Sequence, residues 1–248
     1  MSITDASTPR RFADALDQLS VAQKSGKGAP GYSRWVNRWF GRRLAAWAYV
    51  LGLTPNAVTA VSAVFSLAGI AVLALTPPSW STGLAICFLL LTGYALDSAD
   101  GQLARLTNRG SPAGEWLDHV VDSAKIPALH LAVLVSTARF FDVGEAWLLL
   151  PLGFTVVAVT SFFAQLINDF LVRLHRGPGS APGPQEPASR VASLAKLPTD
   201  FGILCWAFVL LGSPQAFLVA YSLLFVASAA YLAVALPAWY RRMAALGT

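Results

Sequence analysis

The stretch DSADGQLARLTNRGSPAGEWLDHVVD, which runs from Asp97 to Asp122, decides how this sequence is interpreted. It carries four aspartates, although long apolar runs lie on both sides of it. Asp97 and Asp100 are three residues apart and Asp118 and Asp122 are four apart, so each pair shares one face of a helix. The intervening TNRGSP is a strong turn signal, and its proline suits the first turn of a second helix. The pattern predicts a helical hairpin in which the acidic face of one helix lies opposite the acidic face of the other.

The composition of the whole chain is that of a membrane protein. Of its 248 residues, 55% are hydrophobic and 12% charged, and the mean hydropathy is +0.55. Soluble domains carry roughly 25% charged residues, about twice that share. We therefore predict an all-α integral membrane protein with one six-helix transmembrane domain over residues 54–240. The six candidate spans are about 54–76, 81–106, 112–137, 144–174, 197–212 and 214–240.

The chain ends are predicted to lie outside the membrane core. Residues 1–30 are polar and include KSGKGAPG, so we expect a flexible lead-in there. Residues 31–53 combine arginines at four-residue spacing with a face rich in tryptophan, a pattern typical of an amphipathic helix in the headgroup plane. Residues 241–248 are predicted to form a short basic tail.

The distribution of lysine and arginine predicts the orientation, because these residues concentrate on the cytoplasmic side of membrane proteins. With six spans, both termini, the hairpin turn and the loop 175–196 share one side, whereas the opposite side has Arg139 alone. We therefore expect both termini and the hairpin turn to face the cytoplasm, in a bacterial cytoplasmic membrane. The basic residues of that side include Arg34, Arg38, Arg42, Arg43, Arg109, Arg176, Arg190, Lys196, Arg241 and Arg242.

Four carboxylates in the hairpin need compensating charge. At 1.5 Å per residue they lie roughly 10–15 Å from the turn, within the membrane. An ionised group there costs at least about 2.5–3.5 kcal/mol. Two divalent cations would balance the four negative charges, and oxygen ligands favour Mg²⁺, with Mn²⁺ or Ca²⁺ as alternatives. Paired metals also serve phosphoryl chemistry. An acid-lined cation transporter and a catalytically silent scaffold stay open as alternatives.

The acidic stretch resembles a family signature. It matches D-x2-D-G-x2-A-R-x8-G-x3-D-x3-D at every fixed position, and this pattern is similar to the signature of the CDP-alcohol phosphatidyltransferases. The segment GLTPNAVT, residues 52–59, also resembles the one that opens the first membrane helix of that family. The fixed positions are Asp97, Asp100, Gly101, Ala104, Arg105, Gly114, Asp118 and Asp122.

The resemblance implies a reaction and a set of roles. A hydroxyl of an acceptor would attack the phosphorus of a CDP-activated donor, and CMP would leave. The four aspartates would hold two ions of Mg²⁺, or of Mn²⁺, and Asp122 would also be the general base for the acceptor hydroxyl. Gly101, Ala104 and Gly114 would leave room for the nucleotide, and Arg105 would offset its charge. Relatives often pair, which implies a homodimer.

Two further sets of residues are candidate substrate contacts. One set opens the first span, where a helix N-terminus attracts phosphate, and the resemblance implies that it binds the nucleotide, with capping of the helix by Asn56 as the alternative. It consists of Pro55, Asn56 and Thr59. The other set carries positive charge near the acidic cavity and is predicted to bind the acceptor, with snorkelling of the lysine and anchoring of the helix end by the two arginines as open alternatives. It consists of Lys125, Arg173 and Arg176.

The predicted donor is CDP-diacylglycerol, and the predicted acceptor is a small polar alcohol or its phosphate, in phospholipid biosynthesis. The opposite division of the lipid and the polar group between donor and acceptor also stays open. In it, a CDP-linked polar alcohol such as CDP-inositol is the donor and a lipid or an inositol phosphate is the acceptor. The basic residues flank apolar segments and form no separate patch. We therefore expect the lipid bilayer as a partner and no nucleic acid.

Overall fold

A computed structural model of the chain describes residues 11–21, 30–176 and 190–246. Over these residues the protein is helical and contains no β-strand, so the predicted all-α fold class is confirmed. The helices are α1 (Phe12–Val21), α2 (Arg38–Val50), α3 (Pro55–Leu75), α4 (Trp80–Thr107), α5 (Pro112–Phe140), α6 (Leu149–Arg176), α7 (Arg190–Ala195), α8 (Phe201–Ala207) and α9 (Pro214–Ala244). A π-helical turn (Ser33–Asn37) precedes α2, and 3-10 turns occupy Glu145–Leu148, Leu197–Thr199 and Phe208–Gly212.

Five of these helices are long and apolar enough to cross a membrane: α3, α4, α5, α6 with the turn before it, and α9. The chain is therefore an integral membrane protein. The predicted count of six is not confirmed, because the segment expected at 197–212 is short. It comprises the 7 residues of α8 and 5 residues of 3-10 turn. That is roughly 20 Å of helix against a hydrocarbon core of about 30 Å.

The short segment lies along the first half of α4. The rings of Phe201 and Tyr94 are 5.1 Å apart at one end. At the other end, a side chain on Gly83 would meet the carbonyl oxygen of Phe208. Asp200 caps α8 by accepting a 3.1 Å hydrogen bond from the backbone N–H of Gly202. The segment therefore begins beside the part of α4 that precedes the acidic residues.

The ends of α3, α4 and α5 near the hairpin turn lie where the sequence signals predict. Thr54 caps α3 by accepting from the N–H of Ala57 at 3.2 Å, and Ser111 caps α5 in the same way at 3.1 Å. A proline follows each cap, where its missing N–H costs no helical hydrogen bond. Asn108 ends α4 in the left-handed conformation, with φ of 50°. The turn thus occupies residues 108–111.

The N-terminal region differs from the prediction, since α1 lies inside the segment 1–30 that was expected to be flexible. The sequence FADALDQLSV places apolar residues at i, i+3, i+4 and i+7, which gives a stripe that can be buried. Ala15 and Leu19, each 1% exposed, pack against Ala45 and Ala46 of α2. Residues 1–10 and 22–29 of that segment lie outside the described residues.

The predicted amphipathic segment 31–53 is helical from Ser33 to Val50. It exposes a set of large aromatic side chains, as a helix in the headgroup plane would, and its place at the membrane surface stays a prediction. These side chains are Trp35, Trp39, Phe40 and Trp47.

The predicted basic tail, 241–248, is helical over its first residues because α9 continues to Ala244. Arg241 and Arg242 therefore form the last turn of a membrane helix, where positive charge is favourable. Residues 247–248 lie outside the described part of the chain.

Candidate active site

The acidic faces of α4 and α5 meet at Lys125. Its ammonium nitrogen lies 2.7 Å from Oδ1 of Asp97 on α4 and 2.7 Å from Oδ1 of Asp122 on α5. The lysine side chain is 12% exposed and each carboxylate 23% exposed. The structure thus brings together the first and the last aspartate of the signature through one cation.

Asp100 is held from a third helix. Its carboxylate accepts a hydrogen bond of 2.6 Å from the hydroxyl of Thr59 on α3, and both side chains are buried. The two helices approach closely nearby, where the hydroxyl of Ser62 donates to the carbonyl of Gly93 at 2.8 Å. Thr59, predicted to contact a nucleotide, therefore contacts a predicted metal ligand.

Asp118 belongs to a group of side chains with the spacing of a metal site. Ligand atoms of Asp118, His119 and Asp122 all lie within 4.8 Å of one another. The Nδ1 atom of His119 is buried and has no hydrogen-bond partner among the described residues. His119 is not a fixed position of the signature, so its place beside the two aspartates was not predicted.

A cavity of about 220 Å³ lies between the acidic pairs and two arginines. Its walls include Asp97, Asp100 and Asp118, and facing charge comes from Arg38 and Arg105. Partial burial lowers the pKa of the Arg38 guanidinium, but a guanidinium stays charged in proteins. The cavity therefore combines the carboxylates that bind cations with the guanidinium groups that bind phosphate.

Arg38 was not predicted as a site residue. The sequence places it on the basic face of the segment before the first span, and we interpreted that face as a membrane contact. The sequence shows only that Arg38 shares a helix face with Arg34 and Arg42, four residues to either side. Only the packing of α2 against α4, where Gln102 donates to the Arg38 carbonyl at 3.4 Å, distinguishes an inward arginine from an outward one.

The small residues of the signature have different surroundings. A Cβ atom at Gly101 would make an ordinary contact with Nη1 of Arg105 at 3.5 Å, and the glycine lines the cavity of about 220 Å³. A Cβ at Gly114 would lie 2.9 Å from Oδ1 of Asn56, so that glycine allows α3 and α5 to approach. Ala104 is partly buried, and its carbonyl accepts from the N–H of Arg109 at 3.0 Å.

A second cavity, of about 530 Å³, borders Asp122 on the side of α6 and α9. Arg173 lies in its wall, where Nη1 is 2.6 Å from Oε1 of Glu115. Arg242 of α9 also lines it and was predicted only as part of a basic tail. Of the predicted acceptor contacts, Lys125 and Arg173 are thus both ion-paired, and the side chain of Arg176 lies outside the described residues.

A third cavity, of about 400 Å³, lies deeper in the bundle. It is walled mainly by apolar side chains of α5, α6 and α8, among them Ile126, Phe154 and Leu204. Lys196 and Asp200 supply charged groups to the same wall.

Sequence comparison agrees with this arrangement. The family model for CDP-alcohol phosphatidyltransferase matches residues 52–239, which is more than half of the chain. The chain therefore belongs to the CDP-alcohol phosphatidyltransferase family, a family of transferases. The match runs from just before α3 to Trp239 in α9 and includes every residue of the acidic hairpin.

Two relatives show more limited similarity. The chain is 37% identical over 70 residues to the uncharacterized CDP-alcohol phosphatidyltransferase class-I family protein 2 of Dictyostelium discoideum, an alignment covering 28% of this chain and 16% of that protein. It is 30% identical over 104 residues to cholinephosphotransferase 1 of Xenopus laevis, covering 40% of this chain and 25% of that protein. The chain thus aligns with a quarter or less of the length of either relative.

Proposed function

We propose that the protein transfers a substituted phosphate group from a CDP-activated donor to the hydroxyl of an acceptor alcohol and releases CMP. The observation that carries the proposal is the convergence of the two acidic helix faces, with Asp97 and Asp122 each 2.7 Å from the Lys125 nitrogen. The arginine-lined cavity beside them and membership of the transferase family support it further.

The donor set at this site fits a pair of divalent cations. The signature supplies only carboxylate oxygens, which hard ions such as Mg²⁺ prefer, and Mn²⁺ would also fit. His119 supplies one ring nitrogen within 4.8 Å of ligand oxygens of Asp118 and Asp122, and its buried Nδ1 has no hydrogen-bond partner among the described residues. When bound, the ions would neutralise the charge of the diphosphate. The residues that would hold them are Asp97, Asp100, Asp118 and Asp122.

The side chains around this site would bind the donor and move the proton. Arg38 and Arg105 would contact the donor phosphates, for which guanidinium groups are well suited. The cavity that Gly101 lines would admit part of the nucleotide. Asp122 would accept the proton of the acceptor hydroxyl, because its carboxylate borders the second cavity, from which an acceptor would approach. Thr59 would hold Asp100 in place.

For the substrates, we propose CDP-diacylglycerol as donor and a small polar alcohol or its phosphate as acceptor, in phospholipid synthesis. The cavity beside Asp122 supports a polar acceptor, since Gln165, Asp169, Arg173 and Arg242 all line it. The acyl chains of the donor would stay in the surrounding bilayer.

The opposite division is a second candidate, supported by two observations. The apolar cavity of about 400 Å³ beside α5 suits a hydrocarbon chain, as a lipid alcohol acceptor would require. One relative is named a cholinephosphotransferase, although the alignment covers only 25% of it. In this version a CDP-linked polar alcohol would be the donor and the leaving group would again be CMP.

The orientation and assembly stay proposals. We propose that the hairpin turn and the active site face the cytoplasm, because Arg109 in the turn and Arg242 at the end of α9 lie on the side that carries most of the basic residues. We also propose a homodimer, on the resemblance to the family alone.

The test is CMP release by the purified protein in detergent micelles. One reaction contains Mg²⁺, CDP-diacylglycerol and a panel of polar alcohols and their phosphates, and a parallel reaction contains CDP-inositol or CDP-glycerol with a lipid alcohol. Acceptor-dependent CMP release in the first reaction supports the principal proposal, and release only in the second supports the opposite division. Absence of CMP from every donor would contradict the transferase function.

A further inference from the structure

We propose that Lys125 is an internal cation that occupies the metal-binding carboxylates in the metal-free protein and withdraws from them when divalent ions bind. The inference rests on the proposed metal-dependent function, and it assigns to Lys125 a positioning role distinct from acceptor binding.

The contacts of Lys125 carry the first step. Its ammonium group has three donors and uses them on two helices, at 2.7 Å to Asp97 and 2.7 Å to Asp122. Both distances lie at the short end of the range for charge-assisted hydrogen bonds. Asp122 is one turn before Lys125 on α5, whereas Asp97 is 28 positions away on α4. The lysine therefore joins the two halves of the hairpin.

The charge of the site explains why such a contact is needed. Four carboxylates within one membrane hairpin repel one another, and each ionised group at that depth costs at least about 2.5–3.5 kcal/mol. Lys125 is itself 12% exposed, so its ammonium would be unfavourable without a partner. In the metal-free protein, pairing with Asp97 and Asp122 offsets both penalties and keeps α4 beside α5.

The same contacts oppose metal binding. The two oxygens that Lys125 contacts belong to residues that would bind the metal ions, and an oxygen lone pair that accepts from an ammonium is not available to a cation. A divalent ion bound to the same carboxylates and the Lys125 ammonium would also repel each other, because both are positively charged. Competition for these two oxygens and the repulsion between like charges both favour departure of the lysine from at least one carboxylate when the ions bind. A compact charge on a flexible four-carbon stem is suited to such a movement.

The consequence is a metal site whose affinity is weaker than its four carboxylates alone would give, and which stays assembled without metal. Lysine and metal ions would alternate as the positive charge at this site. The freed ammonium would then lie next to the cavity where anionic substrate groups are proposed to bind.

The test measures thermal unfolding of chelator-treated protein in detergent micelles during a Mg²⁺ titration, without nucleotide. We compare the wild type with Lys125→Met and Lys125→Arg. For Lys125→Met we expect a lower melting temperature without Mg²⁺ and half-saturation at a roughly tenfold lower Mg²⁺ concentration. Lys125→Arg keeps the cation and should show no lower half-saturation than the wild type. Arg139→Met, which removes a cation from the far end of α5, should leave the midpoint unchanged.

Equal or weaker Mg²⁺ binding by Lys125→Met would overturn the inference, because a merely structural lysine changes the melting temperature and not the midpoint. If that variant does not fold, the Lys125 side chain of the wild type is instead labelled with an amine-reactive reagent, with and without Mg²⁺. Mass spectrometry then measures the labelled fraction. Labelling of Lys125 should rise at saturating Mg²⁺, and unchanged labelling would refute its withdrawal. These outcomes are independent of CMP release, so the inference can fail while the transfer reaction stands.

Discussion

Thr59 on α3 donates a hydrogen bond of 2.6 Å to the carboxylate of Asp100 on α4, and both side chains are buried. The contact links the first membrane helix to the acidic signature. A carboxylate fixed by a buried hydroxyl presents its other lone pairs in one direction. The orientation of a candidate metal ligand therefore depends on a residue 41 positions away in the sequence.

We predict that Thr59→Val weakens metal binding with little change in fold. Valine has nearly the same shape as threonine but lacks the hydroxyl, so Asp100 loses the group that orients it. Loss of such a supporting contact typically costs about 10–100-fold in metal affinity or activity. The Mg²⁺ concentration for half-maximal CMP release should rise by that factor, and Thr59→Ser should stay near the wild type. An unchanged Mg²⁺ requirement in Thr59→Val would show that the contact is dispensable.

Asp122→Asn should abolish most turnover. An amide at this position cannot accept the proton of the acceptor, and removal of a general base costs about 10²–10⁴-fold in rate. We expect kcat for CMP release to fall within that range while the protein stays folded by thermal unfolding. Asp142→Asn, an exposed aspartate in the loop after α5, is the matched control. Turnover of Asp122→Asn within a few-fold of the wild type would remove Asp122 from the proposed chemistry.

Gly101→Leu should separate folding from substrate binding. An added Cβ would make an ordinary contact with Arg105 Nη1 at 3.5 Å, and Gly101 lines the cavity of about 220 Å³ that would receive the rest of the side chain, so the substituted chain should fold. Glycine inside a helix also stabilises the helix by about 1 kcal/mol less than alanine does, so replacing it should not lower the melting temperature. The side chain would project into the proposed nucleotide space, and KM for the CDP donor should rise at least about tenfold, as a 1.4 kcal/mol loss gives. A normal KM would place the nucleotide elsewhere.

Gly83→Ala should have the opposite effect, a loss of stability without a direct effect on the site. An added Cβ would meet the carbonyl oxygen of Phe208 and lie 3.2 Å from the Cα atom of Val209. Overpacking of this kind costs about 1–3 kcal/mol. We expect a lower melting temperature than for Gly144→Ala, whose added Cβ has no neighbour within 4 Å. Equal melting temperatures would show that the short segment can move away from α4.

The sequence was sufficient where structure depends on local chemistry. Thr54 and Ser111 each cap a helix just before a proline, so each helix start follows from two consecutive residues. The two acidic pairs were placed on their helices by spacing alone. The family was recognised from the same stretch, because its fixed residues lie within one hairpin.

The sequence was insufficient where structure depends on distant contacts. Arg173 pairs with Glu115 across 58 positions, and nothing local to either residue specifies that pair. The helix α1 was missed because an apolar stripe of 10 residues is marginal until α2 covers it. The segment 197–212 was counted as a sixth span because hydropathy does not reveal at which membrane depth a helix begins, and its helical part in the structure is the shorter Phe201–Gly212.

The central claim is that the acidic faces of α4 and α5 share a pair of divalent cations, and electron paramagnetic resonance of Mn²⁺ bound to the purified protein tests it most directly. The account predicts two bound Mn²⁺ ions per chain in the wild type, with weaker binding in both Asp97→Asn on α4 and Asp118→Asn on α5. Absence of tightly bound Mn²⁺, or binding that neither substitution alters, would contradict it.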